Sequence, residues 1–256
     1  GENGAGKTTL CQCINGTVPN YHEGILKGKV EVLGFDTQTC KVTDLADKVG
    51  MVLDDPEAQL FTTSVRNEVA FGAENLCVPK DEILRRIDWA LGIVGLNEFI
   101  DQPPTALSGG QKQRLAIATN LAMMPSILVL DEPTSQLDPI AASEFLETVQ
   151  KINRDMGTTV VLSEHRLEQV LSMADRLLVL DEGRLLVDDA PKQAALRLYA
   201  MGHPLFRAMP APLRISAHSF DPALTVREGR AWLRAHKTRD LPFADPSLPP
   251  APAALE

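Results

Sequence analysis

The sequence predicts an α/β fold built around a mostly parallel sheet, and two features carry this prediction. Aliphatic runs at 49–53, 127–130 and 158–162 have the composition of strands that are buried on both faces. A helical segment at 139–155 separates the last two runs, in the order that parallel strands need. Because open sheets of this kind bind ligands at the carboxyl ends of their strands, we expect functional residues directly after each run.

The chain opens on a phosphate-binding loop of the form G-x-x-x-x-G-K-T. Its glycines let the backbone approach phosphate oxygens, Lys7 places a point charge on the β- and γ-phosphates, and the Thr8 hydroxyl can ligate Mg²⁺. The predicted nucleotide-binding residues of this loop are Gly1, Glu2, Asn3, Gly4, Ala5, Gly6, Lys7, Thr8 and Thr9. The strand that must precede the first glycine is missing, so we expect a sequence truncated at its N-terminus.

A second anion-binding surface is predicted at the sequence Ser-Gly-Gly-Gln at 108–111. A serine and two glycines precede a helix predicted to start at Gln111, where free backbone N–H groups and the positive end of the helix dipole favour an anion.

An acidic pair follows the aliphatic run 127–130. Asp131 and Glu132 would both reach the crevice at the carboxyl end of this buried strand. One of the two acids can hold Mg²⁺ and the other can act on water.

Together, the stretches at 107–111 and 127–138 resemble the signature motif and the acidic strand with its D-loop in the ATP-binding cassette (ABC) family. The resemblance implies a P-loop NTPase core, with a small antiparallel β subdomain and an α-helical signature subdomain at about 62–124. It places the ATPase domain at 1–202 and implies ATP and Mg²⁺ as cofactors. It also implies that two cassettes pair head to tail around two nucleotides.

The same resemblance implies roles for individual residues. Asp131 and Thr8 would ligate Mg²⁺, and Glu132 would orient or deprotonate the attacking water. The nucleotide-binding residues of this part of the chain would be Ser108, Gly109, Gly110, Gln111 and Asp138.

His165 follows the aliphatic run 158–162, within the sequence Ser-Glu-His-Arg. A histidine at this strand end would reach the γ-phosphate, and by resemblance it is the switch histidine of the family. A solvated histidine at a strand end is the alternative. Arg166 stands where many relatives have an aspartate.

Asp54 follows the aliphatic run 49–53, at a position where the ABC family usually has a glutamine. A carboxylate there could ligate Mg²⁺ directly, but it could not donate an amide hydrogen bond. The alternative is that Asp54 caps the following turn.

Residues 56–61 and 65–76 resemble a narrower group, the ATPases of energy-coupling-factor importers for vitamins and metal ions. This resemblance implies a second cassette and integral membrane transport subunits as partners, at the cytoplasmic face of the cell membrane. A soluble ABC ATPase of translation or repair, a catalytically weak regulatory cassette and an exporter stay open as alternatives.

Composition narrows the possible partners. A net charge of −9 argues against nucleic acid, and no apolar run approaches the roughly 20 residues that span a bilayer. The four cysteines lack metal-site spacing, so we interpret them as reduced thiols.

Three further elements are predicted outside the motifs. A hairpin strand is expected at 28–35, a strand pair at 176–188 that closes the sheet, and a final helix at 191–200. The proline-rich segment 203–256 is interpreted as a linker or weakly ordered extension with a short helix at 226–236, suited to connect a second cassette.

Overall fold

The computed structural model describes residues 4–22, 25–219 and 221–236. Its strands are β1 (Glu31–Val32), β2 (Phe35–Asp36), β3 (Val49–Val52), β4 (Ile127–Asp131), β5 (Thr159–Ser163), β6 (Leu177–Asp181) and β7 (Arg184–Asp189). Its α-helices are α1 (Lys7–Ile14), α2 (Thr17–Asn20), α3 (Val42–Leu45), α4 (Val65–Asn75), α5 (Lys80–Val94), α6 (Gly109–Leu121), α7 (Pro139–Met156), α8 (Leu167–Val170), α9 (Pro191–Ala200), α10 (Ala211–Ser216) and α11 (Val226–Ala235). Short 3₁₀ helices lie at Pro56–Gln59, Asn97–Phe99, Pro104–Ala106 and Pro204–Ala208.

The central sheet is parallel and has the strand order β3-β4-β5, which confirms the predicted fold class. Val52 pairs with Leu130, and Asp131 pairs with Ser163. This register brings the carboxyl ends of all three strands to one edge. The loops that follow the strands therefore meet there, as the sequence predicted.

The two faces of β4 are buried against different helices. Leu128 and Leu130 belong to the main core, which α4, α5, α6 and α7 form. Val129 points to the other face, into a smaller cluster that includes Cys11 of α1. Burial on both faces explains why this strand has no alternating polar residues.

The hairpin of β1 and β2 forms the expected small antiparallel sheet. The pair β6 and β7 is also antiparallel, but the prediction that it closes the central sheet is wrong. Among the described residues, β6 pairs with β7 alone and not with β5. Strand periodicity reveals that a strand exists, whereas its neighbours depend on contacts that are distant in sequence.

Helix α9 has the predicted bounds, but it is not the final helix. The 3₁₀ turn Pro204–Ala208, α10 and α11 follow it, and α11 agrees with the predicted short helix. Met209 and Leu213 are buried in one cluster with Ala194 of α9, so this segment is folded rather than an open linker. The boundary at residue 202 stays a prediction, and residues 237–256 lie outside the described part.

No helix in the described ranges is long and apolar enough to cross a bilayer.

Candidate functional site

The phosphate-binding loop leads directly into α1. Gly4 and Gly6 have φ values of 80° and 94°, a left-handed conformation that favours glycine. Gly6 is the N-cap of α1 and supplies no side-chain cap, so the first turn of the helix keeps N–H groups for an anion. Thr8 and Thr9 are exposed on this turn and Ala5 is buried. The predicted residues Gly1, Glu2 and Asn3 lie outside the described residues.

Lys7, Glu132 and His165 come together at the edge of the sheet. His165 Nε2 lies 2.8 Å from Glu132 Oε1. Lys7 Nζ lies 3.3 Å from the same carboxylate oxygen and 3.2 Å from His165 Nε2. The three residues lie at positions 7, 132 and 165 of the chain, so folding alone brings them together. We call this group the Lys7–Glu132–His165 cluster.

The electrostatics of the cluster keep Glu132 ionised. Partial burial raises the pKa of its carboxyl group, but hydrogen bonds and charge from His165 and Lys7 outweigh burial and hold the pKa below its usual range. A single ring nitrogen cannot donate to Glu132 and accept from Lys7 at once. The shorter distance favours donation from His165 Nε2 to Glu132, while Lys7 donates to the same carboxylate and adds its charge.

The backbone at Glu132 is strained. Its φ of 47° lies in the left-handed region, which costs a non-glycine residue about 1–3 kcal/mol. Its N–H donates to the carbonyl oxygen of Ser163 at 3.0 Å, and its own carbonyl accepts from the N–H of Ser135 at 3.1 Å. These bonds hold the turn that directs the carboxylate toward Lys7.

Asp131 is the buried acid of the pair. It is 3% exposed, and its Oδ1 atom has no hydrogen-bond partner among the described residues. Burial, together with this nearby charge, raises the pKa of the Cys11 thiol to about 12. A buried carboxylate oxygen without a partner is costly unless a cation or water satisfies it, so the site fits a hard cation such as Mg²⁺.

Residues 108–111 form a capping box at the start of α6. Ser108 Oγ accepts from the N–H of Gln111 at 3.3 Å, and Gln111 Oε1 accepts from the N–H of Ser108 at 2.8 Å. The helix begins at Gly109, so the predicted start at Gln111 is wrong by two residues: the cap places both glycines in the first turn. A Cβ on Gly109 would meet nothing within 4 Å, whereas one on Gly110 would lie 3.2 Å from Ala141.

The hydrogen bonds of Ser108 and Gln111 described above run within the capping box itself. Asp138 is likewise engaged elsewhere: its Oδ1 caps α7 by accepting from the N–H groups of Ile140 and Ala141 at 2.9 and 3.0 Å. Roles of these residues toward a nucleotide therefore stay predictions.

Asp54 is exposed, and its Oδ1 accepts from the N–H of Asp55 at 3.0 Å. The cap of the following 3₁₀ helix comes from Asp55, which accepts from the N–H of Glu57, so the alternative of a cap at Asp54 is wrong. The sequence did not predict the structural role of Gln59. It accepts from the N–H of Leu53 at 2.9 Å and donates to the carbonyl of Met51 at 3.1 Å, which ties this loop to β3.

The loop after β5 contains two further residues to which the sequence assigned no role in the site. Glu164 contacts Thr134 and the backbone of its own loop, and Arg166 donates to the carbonyl of Leu137 at 3.3 Å. Glu164 and Arg166 flank His165 in the sequence, but Thr134 is 30 positions away, and no sequence pattern links the two.

Comparison with protein families gives one match that spans about half of the chain. Residues 1–135 match the family described as "ABC transporter".

The curated relatives differ in how much of their own length the chain matches. A putative ABC transporter ATP-binding protein of Pyrococcus horikoshii is 45% identical over 192 residues, which are 75% of this chain and 68% of that protein. A protein of the same description from Methanosarcina acetivorans is 42% identical over 215 residues, 84% of this chain and 33% of that protein. The chain thus spans about one third of the length of the Methanosarcina relative.

Comparison with solved structures also finds ATP-binding cassettes. The chain resembles cbiO1 of Clostridium perfringens, described as part of the ABC transporter complex cbiONQ, with a TM-score of 0.67 and 36% identity over 80% of this chain and 82% of that one. It also resembles the ATP-binding cassette MJ0796, solved as a dimer bound to ADP and Pi, with a TM-score of 0.64 and 25% identity over 74% of this chain and 82% of that one.

Proposed function

Because this chain belongs to the ABC transporter family as an ATP-binding cassette, we propose that it binds and hydrolyses ATP to power an importer of the energy-coupling-factor type, for a vitamin or a metal ion. The observation that carries the catalytic part is the Lys7–Glu132–His165 cluster next to Asp131, whose Oδ1 has no hydrogen-bond partner in the described part of the chain. The cluster holds a carboxylate, a fixed cation and an imidazole within reach of one another at the carboxyl ends of parallel strands.

These residues suit the attack of water on the γ-phosphate of ATP. The water oxygen bonds to the γ-phosphorus, the bridging bond to the β-phosphate breaks, and ADP and inorganic phosphate leave. Glu132, ionised at neutral pH, orients the water and accepts its proton. Lys7 and the N–H groups at the start of α1 offset negative charge on the phosphates.

Mg²⁺, when bound, would neutralise charge on the β- and γ-phosphate oxygens. Asp131 would hold it, because its buried Oδ1 has no partner within the described ranges, and the exposed hydroxyl of Thr8 would be the second protein ligand. Asp54 is a third candidate ligand and is exposed.

A second cassette, whether another copy, a different chain or a fused domain, would complete the site. In the head-to-tail pair that the family resemblance implies, the capped N-terminus of α6 covers the nucleotide of the other cassette. The open space at Gly109 is consistent with close approach of a phosphate there.

Three observations support the importer type. Residues 56–61 and 65–76 carry the resemblance to energy-coupling-factor ATPases, and cbiO1 is part of a transporter complex. Phe61 and Phe71 are 66% and 42% exposed and contact each other edge to face, with ring centroids 4.9 Å apart. Such an apolar pair suits contact with membrane subunits at the cytoplasmic face of the membrane.

Purification of the full-length protein with its genetically adjacent membrane subunits tests this function. We expect an integral membrane protein to co-purify and to stimulate ATP hydrolysis. Phe61→Ser with Phe71→Ser should abolish that stimulation and leave the basal hydrolysis of the isolated cassette unchanged, while Leu178→Ser, a change at an exposed leucine of β6, should alter neither. Co-purification with ribosomes or DNA instead would contradict the importer proposal.

A catalytically weak regulatory cassette is a second candidate, and Asp54 favours it because a carboxylate cannot supply the amide of the usual glutamine. Under this proposal Asp54→Gln would raise turnover in the assembled transporter several-fold, with little change in the affinity for ATP. Equal activity of the two proteins would remove Asp54 as a reason for weak catalysis.

A further inference from the structure

Glu164, which precedes His165, is a half-buried carboxylate for which the hydrolysis scheme has no role. Both of its oxygens are engaged. Oε1 accepts from the hydroxyl of Thr134, a residue that is fully buried. Oε2 accepts from the backbone N–H groups of His165 at 2.8 Å and Arg166 at 3.1 Å.

These bonds fix the backbone from which the His165 ring projects. Two consecutive N–H groups that converge on one carboxylate oxygen restrict the turn after β5. The ring of His165 then lies with Nε2 against Glu132. Because His165 is 41% exposed, its own packing does little to hold it, so the turn must determine where the ring points.

The same carboxylate joins this turn to the segment after the acidic pair. Thr134 lies two residues after Glu132, and its carbonyl accepts from the N–H of Leu137 at 3.1 Å. Arg166 adds a second connection by donating to the carbonyl of Leu137 at 3.3 Å. A movement of residues 134–137 is therefore transmitted both to Glu132, along the chain, and to His165, through Glu164 and Arg166.

We propose that Glu164 is a positioning residue for ATP hydrolysis, which holds His165 against Glu132 and couples it to residues 134–137. The proposal rests on the proposed hydrolysis for its kinetic effect, but its structural content concerns the nucleotide-free protein. Glu164 acts through His165 and does not touch the reacting atoms.

Kinetics of the full-length protein supply the first test. Glu164→Ala should lower kcat by about tenfold to a hundredfold with KM for ATP within about twofold, as expected when a catalytic group is misplaced. Glu164→Gln should recover activity to within about threefold of the parent, since its amide oxygen can still accept the two N–H groups and the Thr134 hydroxyl can turn to accept from its amide nitrogen. Glu168→Ala, at an exposed glutamate of α8, is the matched control and should behave as the parent.

A double-mutant cycle separates positioning from general damage. In a His165→Ala background, Glu164→Ala should lower kcat by less than about twofold further, because a residue that acts through His165 has nothing left to position. A full multiplicative loss in that background would overturn the proposal, as would a rise in KM at unchanged kcat.

The closing experiment does not depend on hydrolysis. Diethyl pyrocarbonate modifies accessible imidazole nitrogens, and mass spectrometry can follow His165 and the exposed His22 in the same nucleotide-free sample. In Glu164→Ala the modification of His165 should be at least about threefold faster, since a ring released from Glu132 can turn into solvent and present the lone pair of either nitrogen, while the rate at His22 stays constant. An unchanged rate at His165 would overturn the proposal even if the protein hydrolyses ATP, and a faster rate would support it even if another reaction were found.

Discussion

At the scale of single residues, the proposed hydrolysis assigns the role of general base to Glu132 within the cluster. In the nucleotide-free protein, Lys7 and His165 both lie against the Glu132 carboxylate and hold its pKa low. Phosphate groups that draw Lys7 away would remove one of these influences and strengthen Glu132 as a base. Binding of the substrate would thus prepare the base that activates the attacking water, without a change of fold.

The role of Glu132 predicts a large kinetic effect with little effect on binding. Glu132→Gln keeps the size of the side chain and should retain ATP affinity, but it should lower turnover by roughly 10²-fold or more through loss of the general base. Steady-state hydrolysis and nucleotide titration of the purified protein measure both quantities. Glu98→Gln, at an exposed glutamate, serves as the control, and an unchanged rate in Glu132→Gln would refute the role.

The lowered pKa of Glu132 also predicts a pH dependence of stability. A carboxyl group whose pKa is lower in the folded state stabilises the fold above its unfolded pKa, and this contribution disappears as pH falls through the folded value. The difference in free energy of unfolding between the parent and Glu132→Gln should therefore be greatest at neutral pH and shrink in acid. Urea denaturation at several pH values measures it, and a difference that grows in acid would contradict the assigned direction.

Sequence spacing predicted Lys7, Glu132 and His165 because each follows a recognisable strand or glycine loop. It could not predict Glu164 with Thr134, nor Gln59 with Leu53. These pairs form only because folding brings their loops together. No motif in the sequence marks the residues that form them.

At the scale of elements, close contact between β3 and α6 positions the loop that begins at Asp54. Asn120 of α6 accepts from the N–H of Met51 at 3.0 Å, and Gln113 of the same helix donates to the carbonyl of Leu53 at 3.4 Å. Lys112 forms an ion pair with Glu57. The helix that begins with the capped residues 108–111 is therefore bonded to both β3 and the loop, and displacement of one element must affect the other.

Gly50 allows the close contact between β3 and α6 because it has no side chain. A larger residue at this position should therefore disturb the packing. A Cβ there would lie 2.9 Å from Asn120 Oδ1 and 3.2 Å from Leu128 Cδ1, so Gly50→Ala should destabilise the fold by about 1–3 kcal/mol, as for overpacked cores. Denaturant unfolding measures the change. Gly72→Ala is the matched control: its Cβ would meet the flexible side chain of Met123, which can move, so a smaller loss is expected. Equal losses would mean that β3 can shift away from α6.

Element positions followed well from the sequence, since α7 and α9 lie within one residue of their predicted bounds. The pairing partner of β6 and the packing of α10 could not be predicted from the sequence. Proline-rich composition suggested an open chain after residue 202, yet Pro204, Pro210 and Pro212 lie in or before the first turns of helical segments, where proline is well accommodated. Composition alone cannot separate these two uses of proline.

At the scale of the whole molecule, the proposed function implies that each chain holds two halves of different sites. In this proposal, the Lys7–Glu132–His165 cluster is the part that binds and hydrolyses ATP, and residues 108–111 are the part that completes the site of another cassette. The net charge of −9 opposes spontaneous association of two copies, and two bound nucleotides with their cations would supply the missing contacts.

Mixing two inactive variants of the full-length protein tests this arrangement. Lys7→Met impairs the phosphate-binding loop, and Ser108→Arg blocks the capped N-terminus of α6 by bulk. Each variant alone should be inactive because both sites of its dimer are impaired. In a head-to-tail pair of the two variants, one site combines two impaired halves and the other combines two intact halves, so an equal mixture should recover about a quarter of parental turnover for random pairing in a twofold dimer.

Gln150→Arg, an exposed change on α7, replaces Ser108→Arg in the control and should be active by itself. Absence of recovery, although light scattering shows mixed dimers, would mean that residues 108–111 do not contribute to the site of the other cassette, and the proposed geometry would be wrong.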